Sequence, residues 1–493
     1  MKPIPLFGSG VESYSTDVTS QRRLNCFYDI RIDQDKQKIV IIGTPGSTLW
    51  ATLPKLPIRG WRYVNTTLYV VAGNTLYKVL DDGSYSNLGT LSTAIGYVYL
   101  EDNGVQLLIV DGETGYIYTI IDGTYAQSSL DTAGSFGIIT DANFPNGTNS
   151  ISFLDGKFIA VRPGSRQFYI TDSYDGTNWT PNSGSPVWGT KENSSDDLIS
   201  TSVISGVLLL FGSQTTEFWQ DVGSSPLPYS RINGATQDWG IAATASVAPS
   251  PDSRFLLGQN KEGGLRVLRL VGNSATVVSN SDIESILSGM SKVSDAVGLT
   301  YYSYGHQFYQ ITFPTENRTL LLDVNSNFWS ESQTGLDLVG RHQGELGVAA
   351  YGYNLISDST TGNIYRMDPD NHTDNGEYIK RQLVSRHVHF DQNESSISSI
   401  CLDMETGVGG LVGLGIDPQI VMQVSKDGGK TFGVEKPVSL GELGHYRKTR
   451  AIWRRLGRSN DFVFKFTVTD PVKFVVISAT ADIASGNQVV KGG

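Results

Sequence analysis

LYVVAGNTLYKVLDDGSY, residues 68–85, holds two apolar runs around Gly73-Asn74 and closes on Asp-Asp-Gly-Ser. Gly and Asn supply the turn and the flanking Val, Leu and Tyr residues supply the strands, so the stretch reads as strand, turn, strand, turn. Working outward, the same reading fits VQLLIVDGETGYIYTIIDGTY from Val105, ISFLDGKFIAVRPGSRQFYITDSYDGTNW from Ile151 and TSVISGVLLLFGSQTTEFWQ from Thr201. It fits again at RFLLGQNKEGGLRVLRLV from Arg254, YYSYGHQFYQITFPTENRTLLLD from Tyr301 and ELGVAAYGYNLISDSTTGNIYRMD from Glu345. Block starts lie roughly 35 to 55 residues apart, the length of one four-stranded propeller blade. The expectation is a mainly β chain whose residues 51–375 form a β-propeller of six or seven blades. Stacked β-sandwiches suit the same short strands, and the repeat spacing favours the propeller. Residues 1–50 are expected to be an arm whose strand Ile39 to Ile42 completes the last blade. The one good helical stretch is DIESILSGMSK, 282–292.

Beyond Asp370 the pattern changes. PDNHTDNGEY, 369–378, is polar and turn-rich, and the strands HVHFD, SSICLDME, QIVMQVSKD, DFVFKFTVTD and KFVVISATA that follow suit a separate β-sandwich-like domain over 376–485, with a polar tail at 486–493. Within this domain SKDGGKTF, 425–432, matches the Asp-box signature that recurs in sialidase propellers. Ser425 and Asp427 can bond the backbone ahead of them, Gly428 and Gly429 tolerate positive φ, and Phe432 can pack under the turn. The box folds a hairpin and does no chemistry. Asp82-Gly83-Ser84-Tyr85, Asp122-Gly123-Thr124-Tyr125 and Asp175-Gly176-Thr177-Asn178-Trp179 read as worn relatives of it.

The 493 residues carry a formal net charge of −11 and include two cysteines, Cys26 and Cys401. Such a balance disfavours tight, sequence-independent DNA binding, which needs neutralised phosphates. No Cys or His spacing suggests zinc or a disulfide framework. MKPIPLFGSGVES at the N-terminus lacks a signal-peptide core, and VLLLF, 207–211, is too short to span a bilayer; the expectation is a soluble protein made in a cytoplasm, with no membrane insertion. His387 and His389 alternate on a strand without a third ligand nearby, DPDNHTDNGEY departs from the calcium-loop order, and no Gly-x-Ser-x-Gly elbow occurs. No cofactor, metal or catalytic group is expected.

Two stretches invite a partner. GVGGLVGLG, 407–415, has too few polar groups for a comfortable exposed tip, so Val412 is expected to become buried on assembly. RKTRAIWRRLGR places Arg447, Lys448, Arg450, Arg454, Arg455 and Arg458 around Trp453 in an otherwise acidic chain. A solvated strand face accounts for such a cluster, and so does docking to an acidic protein, because Arg pairs bidentately with carboxylates as well as with phosphate. Strand alternation would point Arg454 and Arg455 to opposite faces, one toward the partner.

RRLNCF (22–27), GTPGSTLWATLP (43–54), IRG (58–60) and LYVVAGNTLYKV (68–79) resemble the start of the packaged-DNA stabilisation proteins of short-tailed phages, also called tail accessory or nozzle proteins. ETGVGG (405–410), DPQIVMQVSKDGGKTF (417–432) and WRRLGRSNDFVFKFTVTDPVKFV (453–475) resemble their C-terminal pattern. The resemblance implies a hexameric ring in a phage tail, joined to a portal-adaptor ring and to tailspike, fibre or needle proteins. It also implies loose contact with passing DNA and no enzymatic activity. Two other classes stay open beside it: a sialidase-like glycoside hydrolase, which needs carboxylates, a Tyr nucleophile and an Arg cluster converging at the propeller centre, and a non-catalytic glycan-binding propeller.

Overall fold

The computed structural model describes all residues except 1, 5, 9, 12–18, 34–35, 337–339, 390–393, 412–414, 446–448 and 486–493. Seven blades follow in chain order. The first is Ile58–Val64, Thr67–Ala72, Thr75–Val79 and Tyr85–Thr90, each strand antiparallel to the next. Three more four-stranded sheets span 99–138, 151–190 and 198–237. In the fifth blade two short pieces, Gly240–Ile241 and Ala248–Ser250, share the partner Ser253–Gln259. The sixth starts at Val297–Ser303 and ends at Phe328–Glu331. The helix read at 282–292 forms over Ser281–Ser288, where the Asn280 side chain accepts the Ile283 N–H and caps it, and its Ile283 and Leu287 are buried between the fifth and sixth blades.

The seventh blade takes three strands from 344–368 and its outermost, Gly46–Thr52, from the N-terminal part of the chain, paired from Gly46 opposite Asp368 to Thr52 opposite Asn363. Ring closure thus rests on 46–52 and not on Ile39 to Ile42. A Cβ at Gly46 would fall against the Thr373 carbonyl, so that position of GTPGSTLW needs glycine. The polar segment 369–378 folds as a small hairpin whose Asp374 lies beside Ser47. Each gap between blades has its own apolar core, such as Tyr69, Val71, Leu76, Leu107, Ile109 and Tyr116 between the first and second. The worn Asp box at 175–179 serves such a gap: Asp175 accepts from Thr177, and Trp179, fully buried, packs edge-on to Phe144.

The second domain is a two-sheet sandwich built from both parts of the sequence that flank the blades. One sheet runs Cys26–Asp33, Lys36–Gly43, Val475–Ser485, Ser395–Met404, Ala451–Ser459, with Lys2–Pro3 also on Val475–Ser485. Ile39 to Ile42 lie here, because Ile41 and Ile42 pair with Val476 and Val475 and Ile41 is buried in the sandwich core. The other sheet continues the sixth blade: Phe328–Glu331 pairs in parallel with Arg22–Leu24, which leads on to Arg381–Val384, Val463–Val468, Gln419–Ser425 and Lys436–Ser439. Ile4, Leu6, Cys26, Tyr28 and Ile41 share one core with Trp453, Phe464, Phe466 and Val476.

Candidate functional site

RRLNCF is the joint between the two domains. Arg22 and Arg318 both grip Glu331, with nitrogen to oxygen distances of 2.6 and 2.5 Å. Burial raises the Glu331 carboxyl pKa, but the two guanidinium groups outweigh it and hold the acid below the usual range. Arg23 is buried, donates to the carbonyls of Gly8, Gly10 and Trp329, and lies over the Tyr28 ring. Asn25, at φ 53°, donates to the Gln333 and Lys380 carbonyls and accepts the Gln333 N–H, so one side chain ties the end of the sixth blade to the sandwich. Phe27 fills the gap between the sixth and seventh blades beside Phe308. Sequence reasoning met RRLNCF only as a family motif. Two adjacent arginines without a nearby acid in sequence were the available signal that distant partners hold them.

A cavity of about 440 Å³ is lined by Arg62, Glu101, Asp102, Ser152, Thr201 and Arg254, among others. Arg62 bonds Glu101 and, at 2.8 Å, Asp102. Arg254 donates to the Ser202 hydroxyl and to the carbonyls of Val203, Ser250 and Ser253. Both guanidinium groups at the centre are therefore committed to the protein itself. Arg59 of IRG is likewise committed: buried, it donates to carbonyls of Gly73, Thr93, Ile95 and Gly96, and desolvation lowers its pKa.

The free end of the sandwich brings together the two stretches that sequence reasoning treated separately. The Gly407 N–H donates to the Leu440 carbonyl, Gly444 donates to Gly407, and Gly410 donates to Gly415, so the glycine-rich loop is laced to the 440–445 loop. A Cβ at Gly409 would strike the Ile416 carbonyl, which explains the glycine. On this fixed backbone Leu411 is 81%, Leu443 55% and Ile416 43% exposed. Val412, Arg447 and Lys448 lie outside the described residues. Arg450 is exposed and leads into the edge strand Ala451–Ser459, along which Arg454, Arg455 and Arg458 are also exposed. Among the described residues these four arginines make no ion pair. The run from Arg450 to Arg458 extends roughly 25 Å, at about 3.3 Å per strand residue.

The expected alternation of Arg454 and Arg455 does not occur. The register breaks between Ser399 opposite Arg454 and Ile397 opposite Gly457, Arg455 takes φ 59°, and the bulge turns both side chains to solvent. Among the described residues neither makes an ion pair within its own domain. Trp453 points inward and donates its indole N–H to the Lys436 carbonyl at 2.7 Å. A charged, bulged edge also blocks indiscriminate strand pairing, so the same residues that can meet a partner protect the free chain.

The Asp box closes the connection between Gln419–Ser425 and Lys436–Ser439. Ser425 Oγ donates to Asp427 at 2.6 Å and accepts the Gly429 N–H, while Thr431 donates to Asp427 through both N–H and hydroxyl. The bonds from Ser425 and Thr431 hold the Asp427 carboxyl well below the usual range. Phe432 does not lie sealed under the turn; it is half-buried with Lys465 Nζ 4.1 Å above its ring. His387 Nδ1 is engaged with Asp461 at 2.6 Å.

Charge is segregated between the domains. Residues 46–375 hold 17 Lys and Arg against 32 Asp and Glu, leaving 21 against 17 in the flanking segments that build the sandwich. The excess of acid belongs to the propeller. No described helix is long and apolar enough to cross a membrane.

Comparison with known proteins agrees with this two-domain division. No curated protein matches. Among solved structures, the Neurospora crassa Pan2 WD40 domain is 10% identical, with 67% of this chain and 98% of that one covered and a TM-score of 0.40. A catalytically inactive virginiamycin B lyase from Staphylococcus aureus is 10% identical, with 69% and 99% covered and a TM-score of 0.39. The family model described as bacteriophage P22 Gp10, beta-propeller, matches residues 4–372, and the one described as bacteriophage P22 Gp10, beta-sandwich, matches 380–484. The propeller match includes the N-terminal strands that here complete the sandwich. The chain is a member of the bacteriophage P22 Gp10 family of phage packaged-DNA stabilisation (tail accessory) proteins.

Proposed function

We propose that this chain is a non-enzymatic subunit of a short phage tail that assembles as a ring, a hexamer by family resemblance, below the portal adaptor. There it helps retain packaged DNA and forms part of the ejection channel, with tailspike, fibre or needle proteins as further neighbours. The observation that carries the reading is the free end of the sandwich: an apolar tip on a backbone-laced loop pair, continuous with a stripe of solvent-facing arginines. Apolar centres with charged rims suit protein contacts. We assign this surface to an acidic neighbouring ring protein.

The propeller axis suits no conduit for a double helix. Its cavity has the volume of a small-ligand pocket and is lined by Arg62, Glu101, Asp102 and Arg254, so the channel would run between subunits. An acid-rich propeller near that path repels phosphate, which favours passage over retention on the wall. A glycosidase of the sialidase type would need arginines at the centre free to hold a substrate carboxylate, whereas Arg62 and Arg254 are occupied.

The test is to mix the purified protein with its adaptor ring and, separately, to titrate duplex DNA across a salt series. Wild type should join the ring and bind DNA negligibly, and an Arg454→Ala, Arg455→Ala double variant should lose ring assembly. Normal assembly of that variant, together with salt-sensitive DNA binding that it abolishes, would assign the stripe to phosphate instead.

A further inference from the structure

We infer that His306 is a pH-dependent latch between the propeller and the sandwich, an imidazolium that bridges Asp323 in the sixth blade to Asp29 in the N-terminal hairpin. His306 Nδ1 lies 2.9 and 3.0 Å from the two oxygens of Asp323, and Nε2 lies 3.6 Å from Asp29 Oδ1. Asp323 ends the strand Arg318–Asp323, whereas Asp29 belongs to Cys26–Asp33, a strand of the sandwich. The ring is therefore clasped by carboxylates from two domains.

Proton placement follows from the acceptors. Asp323 already takes the Asn325 N–H at 3.1 Å and the Ser326 hydroxyl at 2.6 Å, which fixes it as an acceptor, so Nδ1 carries a proton. A neutral ring with that tautomer would aim the Nε2 lone pair at a second carboxylate. Only the doubly protonated ring satisfies both sides. The Phe27 and Phe308 rings, centred 5.2 and 6.1 Å away, cover the site, and the His306 side chain is 11% exposed.

Among the described residues few other titratable groups face the site. Arg31, largely exposed, bonds Asp29 at 2.6 Å and shares its charge. Tyr301, on the adjoining strand, and Tyr304, whose ring lies 5.6 Å from Phe27, both have hydroxyls pushed up by burial and stay neutral. Arg381 acts on Tyr304 and opposes that rise. The hydrogen bond to Asp323 raises the His306 pKa against the opposing effect of burial, with Asp29 adding to the rise. The part of that rise owed to Asp29 is lost when the hairpin opens, so the latch contributes fully below the His306 pKa of the open state and is lost as pH climbs through the higher value of the closed one.

The experiment is hydrogen exchange of the hairpin spanning 26–43 in the full-length chain, corrected for base-catalysed intrinsic exchange, between pH 6 and 9. Histidine-selective NMR of the same samples should assign His306 by its loss in His306→Gln. Hairpin opening should rise with pH, by up to about tenfold per unit, between the open and folded pKa values. Asp29→Asn, which leaves the pair within the blade intact, should flatten that rise even if His306→Gln does not fold. A neutral His306 at pH 6.5, or an Asp29→Asn profile identical to wild type, would overturn the proposal. All of this is read on the isolated chain, so the outcome is independent of ring assembly.

Discussion

The propeller and the sandwich use the same short strands but assemble them in opposite ways. Six of the seven blades come from consecutive sequence, and each buries apolar residues against the next. The sandwich draws Ile4, Leu6, Cys26, Tyr28 and Ile41 from one flank of the propeller and Trp453, Phe464 and Val476 from the other. Local pairing makes blades readable and tolerant of one another's defects. A domain closed by sequence-distant segments depends on both of them, and the propeller depends on Gly46–Thr52 for its last strand.

The sharpest way to break the comparison is truncation. Removing residues 2–45 deletes five buried side chains from the sandwich core, each worth about 1.5–3 kcal/mol, against a typical domain stability of about 5–15 kcal/mol. The sandwich should lose its exchange protection while the first four blades, away from the gaps that Val11 and Phe27 fill and still closed by 46–52, keep theirs. Extending the deletion through residue 52 should then expose the seventh blade as well. Equal loss of protection in both domains after the shorter deletion would mean that the blades are not independent.

Trp179→Ala probes the opposite side. It empties a fully buried site between the second and third blades and should cost about 3–5 kcal/mol. Hydrogen exchange should place that loss in the propeller and leave the sandwich strands protected.

Glu331→Gln tests the joint, and its expected cost is about 2 kcal/mol at neutral pH, since the two arginines stay partly solvated. Because the folded Glu331 pKa is depressed, its contribution is present above the unfolded value, about 4.3, and is lost as pH falls through the folded value. Denaturant titrations at pH 7 and below pH 4 should show the wild-type advantage over this variant shrinking in acid. The smallest effect is at Arg455, whose φ of 59° favours glycine. Arg455→Gly should leave monomer stability unchanged or raise it by about 0.5–1 kcal/mol in thermal or denaturant melts, relieving the strain of a side chain at positive φ.

Much of the propeller was legible because its pairings are local: every quoted block from Leu68 to Asp368 falls on consecutive strands of one blade. The sandwich partners of residues 2–43 were not, since hydrophobic alternation in Ile39 to Ile42 shows that a strand exists and says nothing of which sheet receives it. Arg454 and Arg455 show a second limit. Alternation presumes regular pairing, and the bulge at Arg455 cancels it without a glycine at that position to announce it. The apolar loop and the basic stretch were both visible in sequence, but only the hydrogen bonds that lace Gly407 to the 440–444 segment, with Gly441 packed beside Thr449 at the head of the basic strand, bring them to the same end of the sandwich.

The native mass of the purified chain, measured alone and beside its neighbouring ring proteins, tests the docking claim most directly, with wild type compared against Leu411→Asp, Leu443→Asp. The account predicts a closed ring of fixed subunit number for wild type, and a folded but monomeric double variant, because two charges are placed in the apolar tip. A wild-type chain that stays monomeric beside its partners, or a double variant that forms the ring unchanged, would contradict it.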